Sequence, residues 1–374
     1  MRFDSVDLYH VAMPLLYPWR TAYGEDAAIE SVLVRTHSEG REVWSETAPL
    51  AAPSYSPEWA AGAFACLRDW LAPAVVGREF ARPRQLQQRL SPFKGNPCAK
   101  APLDVAWWLL DSIARGEPLH QRLGARRSAV DVGADFGIMD SIDDLLAAVQ
   151  GAVEAGFKRI KLKFRPGWDL DMLRAVRGRF PDQVFHIDCN SGYRLEDLDL
   201  FKQIDEFGLA MIEQPLGHDD LVDHAKLQRE IETPVCLDES ITSPDKARKA
   251  LALGSCRYVN VKVARVGGLT PAVAIHDMCR DAGTPCWIGS MLESAVGTRA
   301  GAALAMLDNF TYPADLFPSS RFYHRDLGRP AVELTCGEDG SPQIAVGDEP
   351  GIATEPDPDL LDEFCVARAT VPGE

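Results

Sequence analysis

The 374-residue chain is 46% apolar and 25% charged, the balance of an ordinary soluble globular protein, and it is long enough for one or two domains with a large core. Its 55 acidic and 39 basic residues leave a formal charge of −16, which argues against nucleic acid or an anionic membrane surface as a partner. The opening residues lack the basic start and apolar run of an export signal, and no stretch of about 18 consecutive apolar residues suggests a membrane span. The nine cysteines (66, 98, 189, 236, 256, 279, 286, 336 and 365) are odd in number and contain no C-x-x-C pair, so reduced thiols in a cytoplasm are expected rather than a disulfide framework or a thiolate zinc site.

Taken in chain order, residues 1–125 read as a separate α+β domain. An opening strand and the run ESVLVRTHSEGREVWSET suggest an antiparallel meander, followed by helices at 57–75, 82–90 and 100–115. From 126 to 320 short apolar runs alternate with amphipathic stretches. Strands are predicted at 130–138, 159–164, 184–188, 209–213, 234–238, 258–262, 285–289 and 311–317. Helix-start chemistry lies between them at Ser141 with Asp144, at Ser243 before Pro244 and at Thr270 before Pro271. Eight strands with seven intervening helices predict a modified TIM-type (β/α) barrel. The remainder, 321–374, is rich in Pro, Gly and Asp and offers no barrel unit, so it should pack back on the first domain or on the barrel's exterior.

Several strands end in an ionisable residue where an apolar one would be unremarked. Lys163, Asp188, Glu213, Asp238 and Lys262 follow at intervals of 25, 25, 25 and 24, about one β/α unit. Each therefore falls at the carboxyl end of strands two to six, the face on which barrel enzymes build their sites. Any one of these taken alone reads as a solvated charge, but solvation imposes no spacing on five. Three carboxylates converging without a cation would repel one another, whereas a hard divalent ion satisfies them all; Mg²⁺ is the natural occupant, with Mn²⁺ as an alternative. Lys161 and Lys163 are two apart and point the same way, and their repulsion, with the ion's charge, is expected to lower the pKa of Lys163 and free it as a base. Asn190 and Glu239 are expected to support the ligands, Glu239 through a neighbouring lysine.

Other features read as structural. His218, Asp219, Asp220 and His224 suggest a capped helix rather than a second metal site, and Gly267-Gly268 a turn rather than a phosphate cradle. Cys189 alternates to the outer strand face, and Trp107 and Trp108 lie in an amphipathic helix.

The strings KLKF (161–164), IDCNS (187–191), IEQPL (212–216), LDES (237–240), VNVKVARVGGL (259–269) and GSMLES (289–294) resemble the enolase superfamily, muconate-cycloisomerase subgroup. Within it the chain is most similar to the o-succinylbenzoate synthase and N-acylamino acid racemase family, and WRTAYG (19–24) and NPCAKAPLDVAWW (96–108) extend the likeness into the first domain. The resemblance implies metal binding by Asp188, Glu213 and Asp238, proton transfer by Lys163, and for Lys262 either an opposite-face acid/base role or that of a cation facing an enolate. It further implies a first-domain loop at Trp19–Tyr23, with Pro53–Tyr55, closing over the substrate. Candidate substrate contacts are Trp19, Tyr23, Tyr55, Asp135, Ser290, Met291 and Asp315.

A mandelate-racemase-like reading is disfavoured, because strand seven carries Trp287, Ile288 and Gly289 and no histidine. A dipeptide-epimerase reading is disfavoured because Asp315 is followed by Leu316 and Phe317. Departures from the family pattern stand at Asp135 (usually small and polar), Val263-Ala264 (usually Pro-Gly), Cys189 (usually Ala) and Ser290 (usually Gly). The expected activity is removal of a proton α to a carboxylate, leading to dehydration to o-succinylbenzoate, with N-acylamino acid racemisation as the alternative. A catalytically silent small-molecule binding protein on the same scaffold is the reading from another class. A small carboxylate substrate and a homo-oligomer are expected.

Overall fold

The computed structural model describes residues 1–373. The first domain is built on three antiparallel strands, β1 (Ser5–Arg20), β2 (Glu25–Ser38) and β3 (Arg41–Thr47). Val6, Leu8, Val32, Val34 and Val43 recur at the period-two spacing of a half-covered sheet and are buried together against the following helices. The helix expected at 57–75 runs as Ala60–Cys66, a π-helical turn at Leu67–Leu71, and Ala72–Val75. Helices Pro83–Leu90 and Pro97–Arg115 follow, each opening on a proline whose missing N–H would have no helical partner there.

The run 130–138 does not form one strand. Its start, β4 (Ala129–Asp131), pairs antiparallel with the C-terminal segment, and only β5 (Ala134–Phe136) joins the barrel wall. That wall continues in parallel and in sequence order through β6 (Arg159–Lys163), β7 (Val184–Asp188), β8 (Ile212–Glu213), β9 (Val235–Leu237), β10 (Tyr258–Val261) and β11 (Cys286–Ile288). Helices Ile142–Glu154, Leu170–Arg179, Leu198–Ile204, Val222–Glu230, Pro244–Leu253, Leu269–Asp281 and Ala295–Ala305 alternate with the strands.

The expected eighth strand, 311–317, is not a regular strand. Pro313 has no N–H to give to a ladder, and the segment is held instead by the parallel bridges Cys286↔Phe310 and Val132↔Ala314 and by Asp315 N–H donating to the Ile288 carbonyl at 2.8 Å. It still fills the gap between β11 and β5, so the fold is a modified TIM barrel beneath an antiparallel capping sheet. Beyond it, β12 (Gly328–Arg329) pairs with β15 (Glu355–Pro356), and β13 (Thr335–Cys336) and β14 (Pro342–Ala345) extend β4. Finally β16 (Cys365–Pro372) pairs with β1 as the edge strand of the capping sheet.

One apolar core runs through both domains, and a second cluster lies where the capping sheet meets the carboxyl ends of the barrel strands. There Val11, Met13, Ile29 and Leu33 pack with Met291, Leu292, Val296 and Phe322. Burying each such side chain stabilises by about 1.5–3 kcal/mol, so this cluster seats the cap on the strand ends.

Buried carboxylates at helix N-termini add direction to the packing within the cap and between cap and barrel. Glu58 accepts from Cys98 N–H at 2.8 Å and Ala99 N–H at 3.1 Å. Glu46, on β3, accepts from Ser294 N–H at 3.2 Å, Ser294 Oγ at 2.5 Å and Gly297 N–H at 3.0 Å, at the head of helix Ala295–Ala305. Asp104 accepts from Thr270 N–H at 2.8 Å. Thr270 is therefore not the cap of its helix: Gly268 holds that position at φ +114°, where a Cβ would fall 2.5 Å from Asp104. Ser141 and Ser243 do cap, accepting from Asp144 and Lys246 N–H.

Candidate active site

All five residues of β6 are buried. Ile160 and Leu162 join the apolar layer under the helices, and the alternate residues Arg159, Lys161 and Lys163 are turned to the barrel interior. In register, Lys163 stands beside Asp188 and Asp188 beside Glu213. Asp238 and Lys262 follow the last residues of β9 and β10. The evenly spaced residues thus converge at one end of the barrel.

Each cation sits on a carboxylate. Lys161 Nζ lies 2.9 Å from Asp188, 2.9 Å from Glu213 and 3.3 Å from Asp315. Lys163 Nζ lies 2.7 Å from Asp188 Oδ2 and 3.1 Å from Asn190 Oδ1. Across the cavity, Lys262 donates to Asp238 and to the Tyr55 hydroxyl, each at 3.0 Å, and approaches Met291 Sδ at 3.4 Å. Burial would raise Asp188, but Lys161 and Lys163 hold it far below the usual carboxylate range. Burial and Asp188 push Glu213 up, yet Lys161 and His186 bring it below its ordinary value.

The protein's own groups do not by themselves lower Lys163. Burial lowers its pKa and Lys161 adds to that, but Asp188, with Asp135 and Tyr23, leaves it above the ordinary lysine value. Lys262 is likewise raised despite burial, by Tyr55, Glu239 and Glu213.

Supporting side chains fix the carboxylates. Asn190, in a left-handed backbone conformation at φ 41°, donates to Asp188 Oδ2 at 3.3 Å and to Glu239 Oε1 at 3.2 Å. Glu239 is therefore held by an amide rather than by a lysine, and burial, with Asp188 nearby, pushes it up to about 7. Asn260 donates to Glu213 Oε1 at 2.7 Å. His186 Nε2 lies 3.5 Å from Glu213 and Nδ1 3.1 Å from the Tyr312 hydroxyl; burial takes it down to about 4, leaving the ring neutral.

Arg265, on the single turn Val263–Val266, reaches Asp238 and the Tyr55 hydroxyl and donates to the Asn260 carbonyl at 2.6 Å. Sequence reasoning missed Arg265, Asn260 and His186. The available signals were the even offsets of Asn260 from Lys262 and of His186 from Asp188, which put each pair on one strand face.

A narrow cavity of about 30 Å³ opens above these groups. Lys161, Lys163, Asn190 and Lys262 line it, together with all seven expected substrate contacts: Trp19, Tyr23, Tyr55, Asp135, Ser290, Met291 and Asp315. Asp188, Glu213, Asp238 and Glu239 lie outside its lining. Three of the seven are already engaged: the Tyr55 hydroxyl donates to Asp238 at 3.0 Å, Asp315 pairs with Lys161 and Arg159, which hold it at about 2 against the pull of burial, and the Ser290 hydroxyl donates to Glu293 at 2.7 Å. Asp26, Ile29, Leu50, Leu292 and Phe317 also line the cavity and were not foreseen. His224 and Asp220 hold a helix start, as expected, and Cys189 packs in the apolar core.

The donor set suits a hard divalent cation, since Asp188, Glu213 and Asp238 offer only oxygen. Glu239 Oε2 is buried with no hydrogen-bond partner, an arrangement costly unless a positive charge serves it, while Glu213 Oε2 meets the Lys161 ammonium at 2.9 Å. Among the described residues no three acidic, histidine or cysteine side chains are already drawn into a closed coordination shell; Lys161, Lys163, Lys262 and Arg265 stand at the carboxylates.

The family described as "Enolase C-terminal domain-like" matches residues 144–360. An o-succinylbenzoate synthase from Geobacillus stearothermophilus is 43% identical over 358 residues, covering 96% of this chain and 94% of that protein. An N-succinylamino acid racemase from Thermus thermophilus is also 43% identical, over 337 residues, covering 90% and 91%. Among solved structures, a member of the enolase superfamily from Listeria innocua superposes with a TM-score of 0.93 at 34% identity, covering 100% of this chain and 99% of that one. Family match, sequence relatives and fold agree with the geometry at the strand ends: the chain belongs to the enolase superfamily, with o-succinylbenzoate synthases and N-succinylamino acid racemases as its relatives.

Proposed function

We propose that the protein removes a proton from the carbon α to a substrate carboxylate and that the enediolate so formed loses a β-hydroxyl to give o-succinylbenzoate. The observation that carries this reading is the pair Lys163 and Lys262, which reach one cavity from β6 and from the end of β10 on either side of the carboxylate row. Asp188, Glu213 and Asp238 are assigned as ligands of Mg²⁺, with Mn²⁺ as the alternative. When bound, the cation supplies charge stabilisation for the developing enediolate and competes with the lysines for the carboxylate oxygens.

Within the chain, Lys163 takes the α-proton once its ammonium has given up its own, and returns it to the departing hydroxyl as water leaves. Lys262, fixed by Asp238 and Tyr55, remains a cation facing the new negative charge. Asn190 holds Lys163 in position, and the cap cluster keeps bulk water from the reacting carbon. Racemisation of an N-succinylamino acid is the second reading. It is favoured by the same opposed lysines, because reprotonation by Lys262 on the other face inverts the carbon.

The absorbance change on dehydration of the cyclohexadiene carboxylate precursor tests the first reading. Hydrogen exchange at Cα of N-succinylamino acids in deuterated water, read by NMR, tests the second. Precursor turnover without exchange supports the synthase alone, and inertness toward both substrates overturns both assignments. The small-carboxylate substrate, a reducing cytoplasm consistent with nine unpaired cysteines, and a homo-oligomer complete the reading.

A further inference from the structure

Charge around the cavity is matched group by group except on one side. Lys161, Lys163 and Lys262 each face a carboxylate, and Asp315 is held between Lys161 and Arg159. Asp135, on β5, is only 4% exposed and lines the cavity, yet its Oδ1 has no hydrogen-bond partner. Asp26, early in β2 on the cap, lines the same cavity, and among the described residues no donor reaches its carboxylate; burial alone raises its pKa. Burial, with Asp315 nearby, pushes Asp135 up to about 6 even though Lys161 and Lys163 oppose it. A buried carboxylate with an idle oxygen is costly to fold, and it becomes favourable when a ligand brings a donor or a positive charge. The wall near these groups is apolar and aromatic, with Trp19, Tyr23, Ile29 and Phe317. Such a surface accepts a methylene stem and tolerates a cation against its ring faces.

We propose that this side of the cavity is a subsite for a protonated nitrogen carried on an aliphatic stem, with Asp135 as the principal acceptor and Asp26 as the second. Resting on the proton-abstraction reading above, the substrate class that follows is an N-acylated basic amino acid bearing an ammonium or guanidinium group. A neutral stem of the same length would fill the apolar wall and leave both carboxylates idle. An acidic side chain would meet them with like charge.

The test compares N-succinyl-L-lysine, N-succinyl-L-arginine, the neutral N-succinyl-L-norleucine and the acidic N-succinyl-L-glutamate. Hydrogen exchange at Cα is followed by NMR with Mg²⁺ present, and binding is measured separately by calorimetry. The basic substrates should exceed norleucine by about tenfold or more in kcat/KM, chiefly through KM, and glutamate should be the poorest. In Asp135→Asn the lysine-to-norleucine ratio should fall about tenfold, and in Asp26→Asn by a smaller factor. Asp26→Asn, at a partly exposed site, serves if Asp135→Asn fails to fold. Equal handling of lysine and norleucine, or a ratio unmoved by both substitutions, overturns the inference. Dehydration of the cyclohexadiene carboxylate with no discrimination among the amino acids overturns it too, while leaving proton abstraction standing. Tighter calorimetric binding of the basic ligands with neither exchange nor turnover of the cyclohexadiene carboxylate would keep the subsite and overturn the proton-abstraction reading instead.

Discussion

Replacing Gly289 with alanine should disable Lys262 while leaving that lysine itself unsubstituted. Gly289 directly follows β11, and a Cβ built on its backbone falls 2.3 Å from Asn260 Oδ1, 2.7 Å from Asn260 Nδ2 and 2.7 Å from Lys262 Cε. Carbon and polar heavy atoms sit comfortably at roughly 3.5 Å, so about 1 Å of displacement must be found. It cannot come cheaply. Asn260 is tied to Glu213 at 2.7 Å, and Lys262 is tied to Asp238 and Tyr55 at 3.0 Å each. Overpacking of this kind costs about 1–3 kcal/mol of stability, which the rest of the core can absorb. A catalytic group moved by about 1 Å loses on the order of a hundredfold in rate. The assay is hydrogen exchange at Cα of the two enantiomers of one N-succinylamino acid, with thermal melting to verify folding. The enantiomer presenting its hydrogen to Lys262 should lose far more than the one presenting it to Lys163. If both enantiomers exchange within about threefold of the parent rate, Gly289 is not what lets Lys262 approach and the reasoning fails.

Burial, with Glu293 nearby, pushes Glu46 up to about 7 from an ordinary 4.5, so the folded chain keeps a proton that the unfolded chain has lost between those values. This contribution to stability is complete below about pH 4.5 and is lost as pH rises to about 7, at most about 3 kcal/mol. Glu46→Gln should flatten the fall of denaturation midpoint between pH 5 and pH 8, and an unchanged slope would count against the assignment. Asn260→Ala leaves Glu213 Oε1 without its donor and should weaken Mn²⁺ binding by about 10–100-fold in a direct titration; unaltered affinity would remove Asn260 from the site. Lys163→Ala should abolish exchange for one enantiomer only, and full turnover by that variant would sink the mechanism. Chelation of divalent cations should stop exchange and added Mg²⁺ restore it; activity that survives exhaustive chelation means the carboxylate row has been misread.

The interval of about 25 residues between Lys163, Asp188, Glu213, Asp238 and Lys262 was visible in the sequence because one β/α unit sets both the spacing and the height on the barrel. The eighth strand misled because TYPADLF alternates correctly while Pro313 cannot complete a ladder. Gly268 was read as turn chemistry and Thr270 as a cap. The true partner of that helix start, Asp104, lies far away in sequence on a helix of the other domain. Glu46 and Glu58 were invisible for the same reason: local pattern says where a helix begins, not which distant side chain meets it. For Lys163 the expectation joined repulsion from Lys161 to an ion's charge, and the neighbour it left out is Asp188 at 2.7 Å. Asp135 carried a readable signal, a charge on an inward strand position, whose meaning depended on finding its oxygen unpaired.

The pairing of β16 with β1, from Ser5↔Pro372 to Val11↔Cys365, builds the capping sheet from segments on either side of the barrel in sequence. On the ribosome, β1, β2 and β3 emerge before the barrel but lack their edge partner until the barrel has been synthesised, so the barrel can assemble while the cap still awaits closure. An N-terminal fragment would expose the unpaired side of β1 as an aggregation-prone edge. The sheet whose Trp19 and Tyr23 reach the cavity is thus closed by a strand made only after the barrel.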